Sequence, residues 1–347
     1  MQQVRVTSRK LKLSTADIGG HLRLAWLGVG SAFSTGNWQT NLIIIKGDAS
    51  IMVDCGTLAN RALAGIGLSA LDIRCILPTH SHADHVGGIE EVALKWRYVA
   101  PFIFGGTKGD HKPDAIITER YQQMLWGQTL RGGLAYSEEM TRDGELGEMV
   151  FEDYFNPIRP GNAPNAIDRP VFTANYKGID LKMMRTKHIP EQPTTWRNCC
   201  WSCGLTIDDR VLYPGDTRFD PELVRDFTTD KIETIFHDAQ SFPGGVHAGL
   251  AELKTLPDEI RRRMYLLHLD DGMLKLDKAA TDVWNKAEAD LKALYSDDKA
   301  DEKAFMQAHL AVHNARRAAR NSAEAVVKEA GFAGLTHDAT ESYYDFA

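Results

Sequence analysis

Long apolar runs are missing from this chain. No segment of its 347 residues approaches the roughly 18 apolar residues that a helix needs to cross a bilayer. The opening MQQVRVTSRKLKLSTAD lacks the core of about 7 to 15 apolar residues that makes a secretion signal. These absences predict a cytoplasmic protein with no membrane partner. Cysteine is scarce: five residues, an odd count, which argues against a disulfide framework in that compartment. Excess positive charge is absent as well. With 47 acidic against 40 basic residues the net charge is −7, and no Lys/Arg block stands outside Arg261 to Arg263 and the tail. That balance disfavours a surface that grips a polyanion along many phosphates. GVGSAFSTG, residues 28 to 36, lacks the third glycine of a dinucleotide-binding loop, since Phe33 stands in its place. What remains is a 43% hydrophobic share, enough for a sizeable core in one large domain or one domain with an appendage.

Against that plain background stands ILPTHSHADHVGG, residues 76 to 88, with His80, His82, Asp84 and His85 inside six positions. The preceding IRCIL reads as a strand buried on both faces and ended by Pro78. His80 and His82, two apart in extended chain, point the same way; Asp84 and His85 follow on a turn into a helix, for which Gly87 and Gly88 make room. Imidazole and carboxylate suit zinc first, with manganese or iron as alternatives. One ion would struggle to accept four ligands from so short a loop, whereas two neighbouring divalent ions would not. A pair about 3.5 to 4 Å apart needs further ligands, including a bridging one. MMRTKHIP ends a strand pattern with His188, RVLYPGDTRF ends another with Asp216 after Gly215, and MYLLHLDD ends a third with His268. A lone histidine behind a strand is more often a packed or solvated residue, but three metal-competent groups in order are another matter. The expected sharing is His80, His82 and His188 on one ion, Asp84, His85 and His268 on the other, and Asp216 between them.

This series, His-x-His-x-Asp-His, then His, then Gly-Asp-Thr, then His, resembles the metallo-β-lactamase superfamily over roughly residues 20 to 270. The resemblance implies an α/β fold, a four-layer αβ/βα sandwich with the dinuclear site at one edge between two sheets. The expected organisation is a catalytic domain over 1–270, an insertion over about 106–165, and a C-terminal helical extension over 271–347. LAWLGVGSAFSTGNWQTNLIII, residues 24 to 45, is similar to ribonuclease Z and the related cyclic-nucleotide phosphodiesterases; it implies a tight loop near the metals, where Ser34, Asn37 or Asn41 would touch substrate. That branch carries a His-Glu-Ala-Thr and a His-Ser-Thr segment, whose acidic residue and second histidine assist phosphodiester cleavage. Here the counterparts are His237, Asp238, Ala239, Gln240 and Val246, His247, Ala248, so aspartate replaces glutamate and the triplet is reduced to its histidine. The catalytic residues expected are Asp84, His247 as general acid, since an alkoxide leaves poorly unprotonated, and Asp238 supporting its charge. His237 is read as a strand residue without chemistry.

Substrate size follows from spacing. Ribonuclease Z enzymes often grip transfer RNA with a long arm between the counterparts of His188 and Asp216, and only 27 residues separate those two here. The stretch after His85 is long instead; Ile116, Arg120, Gln123 and Met124 suggest a helix, with Tyr121, Trp126 and Tyr136 free to pack or to stack on a base. Together with the charge, this favours a cyclic nucleotide or similar small phosphodiester, attacked by a hydroxide bridging the metals, over large nucleic acid. The chain thereby resembles the anti-Pycsar phosphodiesterases, a likeness that implies a homodimer. Alternatives are ribonuclease Z-like RNA 3′-end processing, or a lactonase, β-lactamase or thioesterase-type hydrolase. NCCWSCGLTI alternates as a strand, so its cysteines read as packing thiols rather than a zinc site. In the tail, Val283, Ala287, Leu291 and Leu294 form a helical stripe, and a second helix ends at Gly331. His309 and His313 read as packed or solvated, and HDAT at His337 as a chance echo.

Overall fold

The computed structural model describes every residue except 1–3, 9, 139, 143–144, 165–166, 192–194 and 297–299. The first of two eight-stranded sheets runs in the order Arg5–Thr7, Tyr343–Phe346, Leu22–Gly28, Asn41–Lys46, Ala49–Val53, Cys75–Leu77, Asp114–Ile116, Asn156–Ile158. The second runs Gly161–Asn162, Val171–Tyr176, Ile179–Arg185, Cys203–Ile207, Val211–Tyr213, Thr234–Asp238, Met264–Leu267, Gly334–Leu335. Side-chain alternation along the strands builds the layers. Leu22, Leu24, Trp26, Leu42 and Ile44 meet Leu181, Leu205 and Leu266 of the second sheet in one core. Their neighbours Ala25, Leu27, Ile43 and Ile45 face the other way, against Leu63, Val92 and Leu125 of the flanking helices. Helices Pro221–Phe227 and Glu302–Glu329 join the core from the side of the second sheet through Leu223, Val224, Ala319 and Ala323. The result is the four-layer sandwich expected. Burial of both sheet faces explains why the strands read as continuous apolar runs.

Strands Ala49–Val53, Cys75–Leu77, Asp114–Ile116 and Asn156–Ile158 are mutually parallel, as are Val211–Tyr213, Thr234–Asp238, Met264–Leu267 and Gly334–Leu335. Parallel strands gather their carboxyl ends on one edge, the usual place for a site in such sheets. Those ends deliver Asp54, His80, Asp216, Asp238 and His268.

Two stretches differ from the sequence expectation. The 106–165 segment supplies two strands to the first sheet, and Ile116 ends one of them; the helix begins only at Glu119. Tyr121 is buried and stacks on Trp201 at 5.6 Å, Trp126 is half-buried, and Tyr136 is exposed. In the tail, helices Lys278–Leu294 and Glu302–Glu329 form, and Ala287, Leu291 and Leu294 are half-buried, but Val283 is exposed and its neighbour Trp284 is buried instead, in one core with Leu274 and Met273. Beyond the helices, Gly334–Leu335 and Tyr343–Phe346 each enter one of the large sheets. The HDAT segment sits between them, with Asp338 bridged to Trp26 and apart from the histidine cluster.

Tyr344 carries much of this closure. Its ring meets Phe236 at 4.8 Å and Tyr265 at 5.2 Å, and its hydroxyl accepts a hydrogen bond from His337 N at 3.0 Å. Tyr344→Ala is expected to lower the unfolding free energy by about 3–5 kcal/mol, the range for emptying a buried aromatic site. Urea titration followed by circular dichroism checks it; a loss under about 1 kcal/mol would mean that the last strand is not part of the core.

Candidate metal centre

All seven residues singled out by spacing converge on one edge. Cys75–Leu77 leads into the loop with His80 and His82, and helix Ala83–Val86 presents Asp84 and His85. Gly88 is required there, since a Cβ would strike Gly56 O at 2.5 Å. Gly215, at φ 68, turns the strand end Val211–Tyr213 so that Asp216 points inward. His268 itself takes a left-handed backbone, φ 55, uncommon outside glycine and a sign of a position held by its surroundings.

The donors fall into two groups. His82 Nδ1 lies 3.1 Å from His80 Nε2 and 3.1 Å from His188 Nε2. In the second group, His85 Nε2 is 3.3 Å from Asp84 Oδ2, and His268 Nε2 is 3.8 Å from the same oxygen. Asp216 Oδ2 stands between the groups, 3.0 Å from His85, 3.3 Å from His268, 3.8 Å from His80 and 4.0 Å from His188. His188, Asp216 and His247 form a third, overlapping set.

Ring protons can be assigned from the surrounding bonds. His188 Nδ1 donates to Val246 O at 2.9 Å. His85 Nδ1 donates to Asp54 Oδ2 at 2.7 Å. Thr79 Oγ1 gives its own proton to Asp54 Oδ2, so it accepts from His80 Nδ1 at 3.1 Å. In the neutral rings, three Nε2 lone pairs therefore face the centre. His85 Nε2 and both oxygens of Asp216 are buried and have no hydrogen-bond partner among the described residues. Buried acceptors left facing one another are what a cation site looks like without its cation, and the donor set fits divalent ions.

Electrostatics divide the imidazoles: against its burial, His85 is held well above its ordinary value by Asp216 and Asp54. Burial drives His80 well below its ordinary value and His188 down to about 4, keeping both neutral as ligands must be. Burial opposes the charge of Asp216, yet His268 and His85 hold its carboxyl well below the usual range.

His247 lies on the rim, 21% exposed, with Nδ1 3.0 Å from Asp238 Oδ2 and 4.0 Å from Asp216 Oδ2. Asp238 is fully buried; the same oxygen accepts from Thr217 N at 3.2 Å. His237 Nδ1 bonds to the backbone O of Asp238 at 2.8 Å, with Asp238 Oδ1 3.0 Å away.

Comparison with known proteins adds the lineage. Residues 22–285 match the family described as "Anti-Pycsar protein Apyc1". The chain belongs to that family. It is similar to the anti-Pycsar protein Apyc1 of Paenibacillus harenae, 34% identical over 252 residues covering 72% of this chain and 90% of that protein. The Apyc1 of Bacillus phage vB_BsuM-Goe3 is 30% identical over 264 residues, 72% and 90% of the two chains. The metallo-beta-lactamase fold protein YhfI from Bacillus subtilis overlays 72% of this chain and 87% of its own at TM-score 0.49 and 14% identity. Family and donor set together mark a metal-dependent hydrolase.

Other expectations resolve within this Apyc1 relative. Asn41 accepts from Gly56 N and donates to Gln39 O, and Ser34 donates to Asp271. Cys199 and Cys203 are buried and Cys200 exposed; burial pushes the Cys203 thiol up to about 12, as in a packing residue. His309 and His313 belong to no donor group. Among the described residues no helix is long and apolar enough to cross a membrane.

Asp54 was missed by spacing alone. It sits at φ 64 behind Ala49–Val53 and accepts from His85 Nδ1, Thr79 N and Thr79 Oγ1. SIMVDCG has the same form as the other strand ends, an apolar run and then one carboxylate. Asp54→Asn is expected to weaken divalent-metal binding about 10–100-fold, the usual effect of losing a partner behind a ligand histidine. Competition against a chromophoric chelator measures this, with far-ultraviolet circular dichroism to confirm the fold; unchanged affinity would remove Asp54 from the centre.

Proposed function

We propose that this family member is a dinuclear-metal phosphodiesterase that opens cyclic nucleotides or similar small phosphodiesters. The carrying observation is His247: one ring nitrogen is fixed on buried Asp238, and the residue stands on the rim beside Asp216 and the two donor groups. His80, His82 and His188 would hold one ion, Asp84, His85 and His268 the other, with Asp216 shared. Divalent ions there, zinc first with manganese or iron as alternatives, would supply charge to the phosphoryl oxygens and make a nearby water acidic near neutral pH. Asp84, bordering the same space, takes the proton that this water gives up. His247 in its imidazolium form keeps Nδ1–H on Asp238 and offers Nε2–H to the leaving oxygen, which departs as an alcohol rather than an alkoxide. Burial alone would depress this imidazole, but the Asp238 hydrogen bond and the fields of Asp216 and Asp238 raise it above its ordinary value. Bound cations oppose that rise, which leaves Asp238 the group that keeps His247 protonated.

A net charge of −7 supports the small substrate, because a metal pair can meet one phosphate without an extended basic surface. Family likeness implies a homodimer, and helix Ala100–Phe104 leaves Phe102 91% and Ile103 59% exposed, an apolar pair that a second copy would cover.

The test is a substrate panel with added zinc or manganese: cyclic mononucleotides of both linkages, cyclic dinucleotides, bis-p-nitrophenyl phosphate, a transfer-RNA precursor and nitrocefin. Hydrolysis of the diesters and sparing of nitrocefin is the expected pattern; strong, steeply salt-dependent binding of the RNA would favour the processing enzyme instead. In His247→Ala, turnover should fall by about 10² to 10⁴ with both ions retained. A variant as fast as the parent would remove the general acid.

The pH profile gives a second check. The acid works only while protonated, so turnover declines as pH rises through the His247 value. Asp238→Asn removes what raises that value, and the declining limb should move to lower pH. A limb that stays in place, or moves up, would place the titrating group elsewhere.

A further inference from the structure

A polar cleft of about 780 Å³ lies between the loop 31–38 and helix Glu302–Glu329, and none of the seven metal-donor residues lines it. Its helical wall starts beyond residue 285, where the family match ends. On that wall Arg316 and Arg320, four apart, share a helical face, Arg317 stands at its exposed border, and all three line the cleft. Trp38, 40% exposed, lines the opposite side.

Of the three guanidinium groups in the cleft, only that of Arg316 has a carboxylate partner among the described residues. Two carboxylates, Asp338 and Glu341, also line the cleft, but neither pairs with one of these arginines: Asp338 Oδ1 accepts from Thr340 N at 2.9 Å, and Glu341 lies 3.7 Å from His337. Arg316 is paired with Glu288 at 2.6 Å. Arg317 makes no hydrogen bond or ion pair among the described residues. Arg320 donates one Nη to Thr336 O at 2.8 Å; its other Nη is buried without an acceptor, and no carboxylate pairs with it. A half-buried guanidinium without a counter-ion is an unusual expense in a folded chain, and an anion relieves it. The guanidinium fork matches phosphate oxygens, and an indole face accepts any base. The volume falls in the range of about 300–1,000 Å³ typical of small-molecule sites.

We propose that this cleft binds a nucleoside monophosphate, with its phosphate on Arg317 and Arg320 and its base on Trp38. Opening a cyclic mononucleotide would release such a molecule; that link rests on the proposed activity, whereas the binding does not.

The experiment is calorimetric titration of the metal-loaded full chain with AMP, adenosine and inorganic phosphate. Arg317→Glu, on the exposed helix face, and Arg320→Gln are each expected to weaken AMP binding by about tenfold or more, and adenosine and inorganic phosphate should each bind about tenfold more weakly than AMP. Arg317→Glu should hydrolyse bis-p-nitrophenyl phosphate at the parent's rate when no nucleotide is added. His268→Ala, which damages the metal centre, should leave AMP binding in place. AMP bound equally by parent and Arg317→Glu, AMP not bound at all, or AMP binding lost only in His268→Ala would each overturn the proposal. Inorganic phosphate as tight as AMP would overturn the nucleoside part. Should the parent hydrolyse no diester, the activity falls, and the AMP titration still decides the cleft.

Discussion

Asp216 is a buried carboxylate whose two oxygens receive no hydrogen bond among the described residues, and the rest of the fold is arranged around that fact. An uncompensated charge in a protein interior costs several kcal/mol. Imidazoles from three other segments close on the carboxylate; burial drives His80 and His188 to the neutral form, while His85, held well above its ordinary value by Asp216 and Asp54 against its burial, places positive charge beside it. Divalent ions there would give these convergent donors a common partner. This explains why both sheets must place their carboxyl edges together: four strand ends and one short helix each bring a donor that is useless by itself.

Behind these donors lies a second ring of bonds that fixes which nitrogen faces inward. Asp54 and Thr79 orient His80 and His85, while Val246 O orients His188. Val246 is next to His247, so the loop that carries the rim histidine is tied to one of the buried ones. Asp270 secures the same loop from the other side, accepting from Ser241 N at 3.2 Å and Ser241 Oγ at 2.7 Å. Asp271, its neighbour, does the same for the loop 31–37 through Ser34 and Thr35. Two adjacent carboxylates just past His268 therefore hold the two loops that border the centre, and the site is braced on its open side as well as at its base.

The centre was readable in the sequence because its signal is local: an apolar run sets a strand, and the polar residue after it is delivered to the edge. Asp54 carries that signal too, but a carboxylate one step from a cysteine and a glycine looks like a turn residue until His85 is seen against it. What escaped was set by tertiary contact. Ile116 fits a helical spacing with Arg120 and Met124, yet parallel pairing with Asn156–Ile158 places it in a sheet. Val283 fits an apolar stripe, yet the larger Trp284 takes the buried place, where Lys275 and Arg316 lie over its ring. Strands of two and four residues near the C-terminus are too short to show any period; their existence depends on edges offered by residues far away in the chain.

The departures from the branch pattern at Asp238 and His247 look damaging in sequence, since aspartate is one methylene shorter than glutamate. Geometry resolves this. Asp238 is the last residue of Thr234–Asp238, fully buried with Thr217 N beside it, and from there its oxygen already reaches His247 Nδ1 at 3.0 Å. The shorter acid makes this contact to a loop that the His188 Nδ1 bond to Val246 O holds close by. The substitution and the loop position are two parts of one constraint, joined through a histidine that faces the metals.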